Sequence, residues 1–183
     1  MDVASAGFAR TIATVDRFTG WVGTAVSWLV VPLVVAVFYE VMARYAFDAP
    51  TIWVFDVTYM LYAAIFMLGA SFTLLKGAHI RTDILWEKFS DRRKGWIDLI
   101  TYVFFFFPAL SMILFSSVDD VWQAFQINEK SEQTAWRPII WPFKGIVPLT
   151  ALLLLVQGVS EAMKSLYAVR TGRLYARIEK IEV

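Results

Sequence analysis

The sequence predicts an all-α integral membrane protein: four transmembrane helices with N- and C-termini cytoplasmic, plus interfacial amphipathic helices, in one domain over residues 1–183. Three observations carry this. Four long stretches lack Asp, Glu, Lys and Arg: Phe18–Tyr39 (22 residues), Val57–Leu75 (19), Leu99–Val118 (20) and Gly145–Ser160 (16). Hydrophobic residues make up 58% of the chain and the mean hydropathy is +0.58, more apolar surface than a soluble fold of this size can bury. The basic residues are distributed unevenly between the two sides, with 13 of 17 on one of them.

At ~1.5 Å rise per residue against a ~30 Å hydrocarbon core, the first three stretches span unaided. The fourth spans if Trp141 to Lys144 lie at its interface. The spans are therefore placed at about 18–42, 53–75, 97–118 and 141–162. Arg10 and Arg17 precede the first, six basic residues from Lys76 to Lys94 join the second to the third, and five from Lys164 to Lys180 follow the fourth. Arg44, Lys130, Arg137 and Lys144 fall on the other side. The positive-inside rule then puts both termini and the middle loop in the cytoplasm. A cleaved signal peptide fits the first stretch poorly, because its apolar run is too long and only the weak Val41-Met42-Ala43 resembles a cleavage site.

Element by element, helix 1 carries Gly20, Gly23, Thr24 and Ser27, a small-xxx-small pattern that permits close helix approach. Pro32, Pro108 and Pro148 are expected to kink helices 1, 3 and 4. Trp21, Trp53, Trp86, Trp96, Trp122, Trp136 and Trp141 fall at span edges or in loops, where an indole buries its ring and keeps its N–H wet. Ile80–Trp96 reads as an amphipathic helix at the cytoplasmic interface, with a shorter stripe of the same kind, Phe8, Ile12 and Val15, before helix 1. Phe104-Phe105-Phe106-Phe107 reads as lipid-facing bulk or a partner surface. Asp119–Lys144 is the longest outer segment, and it is expected to hug the membrane or a partner.

The chemical inventory is small. There is no cysteine, so disulfides and thiolate sites are absent. One histidine, His79, excludes a bis-histidine haem site within the chain. No phosphate loop, nucleophile elbow or paired membrane-embedded carboxylates are recognised, and the spans show no deep polar stripe. With 17 basic and 16 acidic residues, net charge does not point to nucleic acid. The chain does not read as an enzyme, and no cofactor is expected in it.

Glu40, Arg44 and Asp56 are the ionisable groups recognised near the spans. Glu40 and Arg44 are four apart on one helix face, and the connection through Pro50 brings Asp56 near. They read either as part of an ion or substrate path or as an interfacial charge cluster that pins the hairpin or a partner. On the second reading, removing Arg44 strands two carboxylates.

A resemblance follows from these residues. Arg44-Tyr45-Ala46-Phe47, then Pro50, Trp53 and Asp56, then Leu68-Gly69-Ala70, then His79-Ile80-Arg81-Thr82-Asp83, resembles the small membrane subunit of tripartite ATP-independent periplasmic (TRAP) transporters. Asp56 and Thr82 stand where Glu and Val are common in that pattern. Trp136-Arg137-Pro138-Ile139-Ile140-Trp141-Pro142-Phe143-Lys144, with Pro148 and Gln157-Gly158, is similar to the branch labelled mannitol/chloroaromatic compound transport. The resemblance implies a scaffold subunit in a bacterial inner membrane. Its partners would be a large permease subunit, a periplasmic substrate-binding protein and membrane lipids. Secondary-active import of an organic anion or related small solute, and its sodium coupling, would reside in the large subunit. Glu40, Arg44, Trp53, Asp56, His79, Arg81, Asp83, Trp136, Arg137, Trp141 and Lys144 become structural or assembly candidates. The alternative class is a membrane anchor of a respiratory or redox complex, and a third option is a self-contained channel.

Overall fold

The computed structural model describes residues 3–77 and 89–175. Its helices are α1 (Val3–Ser27), α2 (Val30–Ala46), α3 (Val54–Leu75), α4 (Asp91–Thr101), α5 (Phe107–Gln126), a short α6 (Trp141–Lys144) and α7 (Ile146–Thr171); a π-helical turn, Tyr102–Phe106, joins α4 to α5. Four helical stretches are long and apolar enough to cross a membrane: Ala6–Ala46, Val54–Leu75, Asp91–Gln126 and Trp141–Thr171. The four expected spans are present, and three of the four helical stretches run well past the expected limits.

The centre of the bundle is α7, which packs against α1, α3, α4 and α5 and buries eleven residues. By contrast α2 packs on α3 and leaves Val34, Val35, Phe38 and Met42 exposed. The third stretch exposes Met112 and Phe115 in the same way.

All three prolines coincide with an interruption of the helix that holds them. Pro32 has no N–H for the Trp28 carbonyl, and the chain breaks into turns at Trp28–Leu29, where the Val31 N–H takes that carbonyl at 3.1 Å. Pro108 would leave an α-helical carbonyl unpaired one turn earlier. The helix widens into the π turn there, with the Phe107 N–H reaching the Tyr102 carbonyl five residues back. Pro148, like Pro32 the third residue of its helix, has no N–H for the Lys144 carbonyl, and the fourth stretch is interrupted at Gly145, between α6 and α7.

Of the two expected interfacial helices, the first is part of a longer helix and most of the second lies outside the described residues. The Phe8, Ile12 and Val15 stripe is no separate element: α1 is continuous through it, and Ile12 is buried against the bundle together with Asp16 and Thr19. The spacing 12, 16, 19 is one helical face, and that face meets protein. For Ile80–Trp96, residues 80–88 lie outside the described residues; Asp91–Trp96 belongs to α4, which runs into the third span and packs along α7. A β-carbon on Gly95 would sit 2.9 Å from the Ser165 carbonyl oxygen and 3.0 Å from Val169 N, so only glycine allows this backbone approach.

The small residues of α1 divide their roles. A β-carbon on Gly23 would collide with the Phe72 ring of α3, so the close approach inferred from sequence occurs there. The Thr24 and Ser27 hydroxyls turn back to donate to the Gly20 and Thr24 carbonyls at 3.0 and 2.7 Å. The four phenylalanines also split: Phe104 and Phe105 are exposed, whereas Phe106 packs edge-to-face on Tyr102 and Phe107. Phe106 also fills the space over Gly158 of α7, where an added β-carbon would stand 2.5 Å from its Cε1.

Candidate functional site

Polar side chains concentrate at the two ends of this bundle. At the end where α2 leads into α3, the Glu40 carboxylate is held on both oxygens. One accepts from Arg44, through Nε at 3.0 Å and also through Nη2. The other accepts from the Thr51 backbone N–H at 3.0 Å and from its hydroxyl. Glu40 thus fixes the α2–α3 connection, and Trp53 packs against Tyr39 with ring centroids 5.8 Å apart.

Asp56 belongs to a different set. It is 0% exposed, and its carboxylate accepts from Ser131 Oγ at 2.8 Å and from the Thr134 hydroxyl. Those hydroxyls in turn accept backbone N–H groups of Gln133 and Trp136, each at 3.2 Å. The 127–140 loop is a small hairpin: Lys130 bridges Ile139, the Ser131 N–H reaches the Pro138 carbonyl, and the Ile140 N–H reaches the Glu129 carbonyl. Asn128 and Arg137 both adopt positive φ, at 47° and 48°. Lys144 ties the loop to the helices through Glu129 at 2.7 Å and Asp120 at 3.3 Å. Trp141 packs edge-to-face on Phe125 at 5.3 Å, while Trp136 and Arg137 remain exposed at the hairpin tip.

The single cluster of Glu40, Arg44 and Asp56 expected from the sequence is therefore two. Arg44 pairs with Glu40, and Asp56 anchors the 127–140 hairpin. Arg44 is also 53% exposed, so Arg44→Ala should cost no more than about 1 kcal/mol. Glu40→Ala should cost more than Arg44→Ala, because it also abandons the Thr51 donors. Arg44→Gln and Asp56→Asn share no partner, so their effects on the melting of the purified chain should add to within about 0.5 kcal/mol. A coupling above about 1 kcal/mol in that double-mutant cycle would restore the single cluster. His79, Arg81 and Asp83 lie outside the described residues.

The second concentration was not recognised in the sequence. At the opposite end, where α1 begins and α7 ends, Asp16, Gln157, Ser160, Glu161 and Lys164 are all buried. Lys164 Nζ lies 2.8 Å from Asp16 Oδ2 and 2.8 Å from Glu161 Oε1. The other Asp16 oxygen accepts from Ser160 Oγ at 2.7 Å and Gln157 Nε2 at 3.2 Å, and Gln157 Nε2 also reaches Glu161 at 3.3 Å. Asp16 and Glu161 are thus two buried carboxylates joined through one lysine inside the protein. The signal was present as Gln157, Ser160, Glu161, Lys164 and Ser165, spaced i, i+3, i+4, i+7, i+8 on one helical face. Lys164 counts among the basic residues that follow the fourth span, and Asp16 stands only two residues before the first apolar run.

In both networks the charges and hydroxyls are turned toward one another and join helices. Among the described residues no group of His, Cys, Asp and Glu could hold a metal ion. The fold defines a helical membrane component, and its polar groups are engaged with one another within the chain. The chain belongs to the family described as tripartite ATP-independent periplasmic transporters, DctQ component, whose model matches residues 33–167. This is a family of transporter components and not of enzymes. No curated relative and no solved structure matches the chain. The matched range takes in the Glu40 and Asp56 networks and the α7 half of the buried one; Asp16 lies before it.

Proposed function

We propose that this chain is the small scaffold subunit that braces the large permease subunit of a binding-protein-dependent TRAP transporter in a bacterial inner membrane. The family match carries this reading. It is supported by a bundle tied at both ends and by the long apolar faces of α2 and the third span, which the chain itself leaves uncovered. A brace needs such a division: one interior that does not yield, and outer faces for lipid and a larger partner. Transport of an organic anion or related small solute, and its coupling to sodium, then belong to the large subunit, with capture by a periplasmic binding protein. The Trp136–Lys144 segment supports placement in the mannitol/chloroaromatic-like branch. The redox-anchor alternative draws no support from the family match.

Co-expression tests the reading directly. A tag on either this chain or the permease subunit should recover both after detergent extraction, and deletion of this chain should abolish uptake. Full uptake by permease and binding protein alone would remove the bracing role. Orientation is tested separately, because the chain has no native cysteine. With both termini cytoplasmic, a cysteine at Asn128 should react with an impermeant maleimide from the periplasmic side. Reaction there only after the inner membrane is breached would invert the topology.

A further inference from the structure

α3 turns a single line of residues out of the bundle. Its exposed residues are Phe55, Tyr59, Tyr62 and Phe66, all aromatic, and the part-exposed Gly69 continues them. Steps of 4, 3, 4 and 3 residues separate them, the spacing of a seam that stays in register with a second, nearly parallel helix. The other faces of α3 are taken by α1, α2 and α7.

Two positions on this line call for something that lipid cannot supply. Tyr62 is 64% exposed, and its hydroxyl makes no hydrogen bond among the described residues. It stands nine residues from Trp53 at one end of the span and fourteen from Lys76 at the other. Those separations are about 13 Å and about 21 Å along the axis, both farther than a tyrosine side chain reaches. At that depth the hydroxyl meets no water, and acyl chains carry no acceptor. Gly69 is the second position. A β-carbon there would meet nothing within 4 Å, so no contact among the described residues requires glycine, although glycine destabilises a helix interior relative to alanine. Bare backbone facing outward lets another helix approach closely. The uncovered side chains of α2 and the third span, such as Val35, Phe38, Met112 and Phe115, are met by hydrocarbon alone.

We propose that the line from Phe55 to Gly69 seats one transmembrane helix of the permease subunit, which lays small residues over Phe66 and Gly69 and brings a hydrogen-bond acceptor to the Tyr62 hydroxyl. The assignment rests on the bracing role proposed above and names the face that performs it. Hydrogen-bond complementarity selects protein over lipid here. A second copy of this chain, related by a two-fold axis, would set the same four aromatic side chains against one another and hold the two Gly69 backbones apart.

Photocrosslinking in membranes that hold the full chain and the co-expressed permease subunit tests this. The photoreactive residue p-benzoylphenylalanine is placed at Phe55, Phe66, Val35 or Phe115, one position at a time. Probes at Phe55 and Phe66 should capture the permease subunit, and those at Val35 and Phe115 should capture lipid alone. Tyr62→Phe should weaken recovery of the permease through a tag on this chain about threefold, the worth of an average interhelical hydrogen bond in a membrane. Gly69→Leu should weaken it at least about tenfold by holding the helices apart. Both positions face out of the bundle, so the isolated variants should melt no lower than the wild type. Capture of the permease from Val35 or Phe115 but not from Phe66, capture of a second copy of this chain from Phe66, or wild-type recovery of both variants overturns the assignment and leaves the bracing role standing. Failure of the wild-type chain to co-purify with the permease removes the bracing role itself, and this assignment with it.

Discussion

Lys164→Met is expected to be among the most damaging single substitutions in the described part of this chain. It keeps the length and the apolar stem of the side chain but removes the ammonium that lies 2.8 Å from both Asp16 and Glu161. Both carboxylates are buried, so neither recovers water when the cation goes. Removing one partner of a buried ion pair typically costs about 3–5 kcal/mol, whereas replacing the whole pair costs far less. The stability of the detergent-solubilised chain, followed by size-exclusion chromatography after heating, should fall accordingly. Adding Asp16→Asn to Lys164→Met should recover part of the loss, because the side chain at position 16 can still accept from Ser160 without carrying a charge. Wild-type stability for Lys164→Met alone would mean that the network is solvated and contributes nothing to the α1–α7 contact.

That network also marks where the sequence stopped being legible. Apolar runs report which segments cross a membrane, since the bilayer tests each one separately, and the four runs here became four spans. What a run cannot report is which face of a helix meets another helix. Asp16 and Lys164 each sit a few residues beyond an uncharged stretch, so a count of charges by segment assigns them to water. They are buried because α1 extends some fifteen residues ahead of its apolar run and lies against the end of α7. The same limit explains the opposite end of the bundle: Glu40 and Arg44 could be paired by helical spacing, but the partners of Asp56 are 75 and 78 residues away in the hairpin. The π turn at Tyr102–Phe106 was partly legible, because Pro108 announces a disturbance. Its form depends on Phe106 finding the bare backbone of Gly158 across the interface.

Gly95→Ala should be the second large effect, and for a reason opposite to that of Lys164. Nothing is removed; a methyl group is added where α4 crosses α7. Its β-carbon would stand 2.9 Å from the Ser165 carbonyl oxygen, 3.0 Å from Val169 N and 3.0 Å from the Ala168 β-carbon. Two of those three neighbours are main chain, so no rotamer change can relieve the contact and the helices must separate along their length. Overpacking of this kind costs about 1–3 kcal/mol, and Gly95→Leu should exceed it. Elsewhere the same substitution serves as its control. A β-carbon on Gly69 in α3 meets nothing within 4 Å, so Gly69→Ala should leave the isolated chain unchanged or raise its stability by up to about 1 kcal/mol through helix propensity alone. Heating both variants in detergent beside the wild type separates the two cases. If Gly95→Ala melts like the wild type, α4 does not lie against α7 at this distance. If Gly69→Ala spares the isolated chain yet weakens its recovery with the permease subunit, the open face of α3 around Gly69 is where the larger subunit rests.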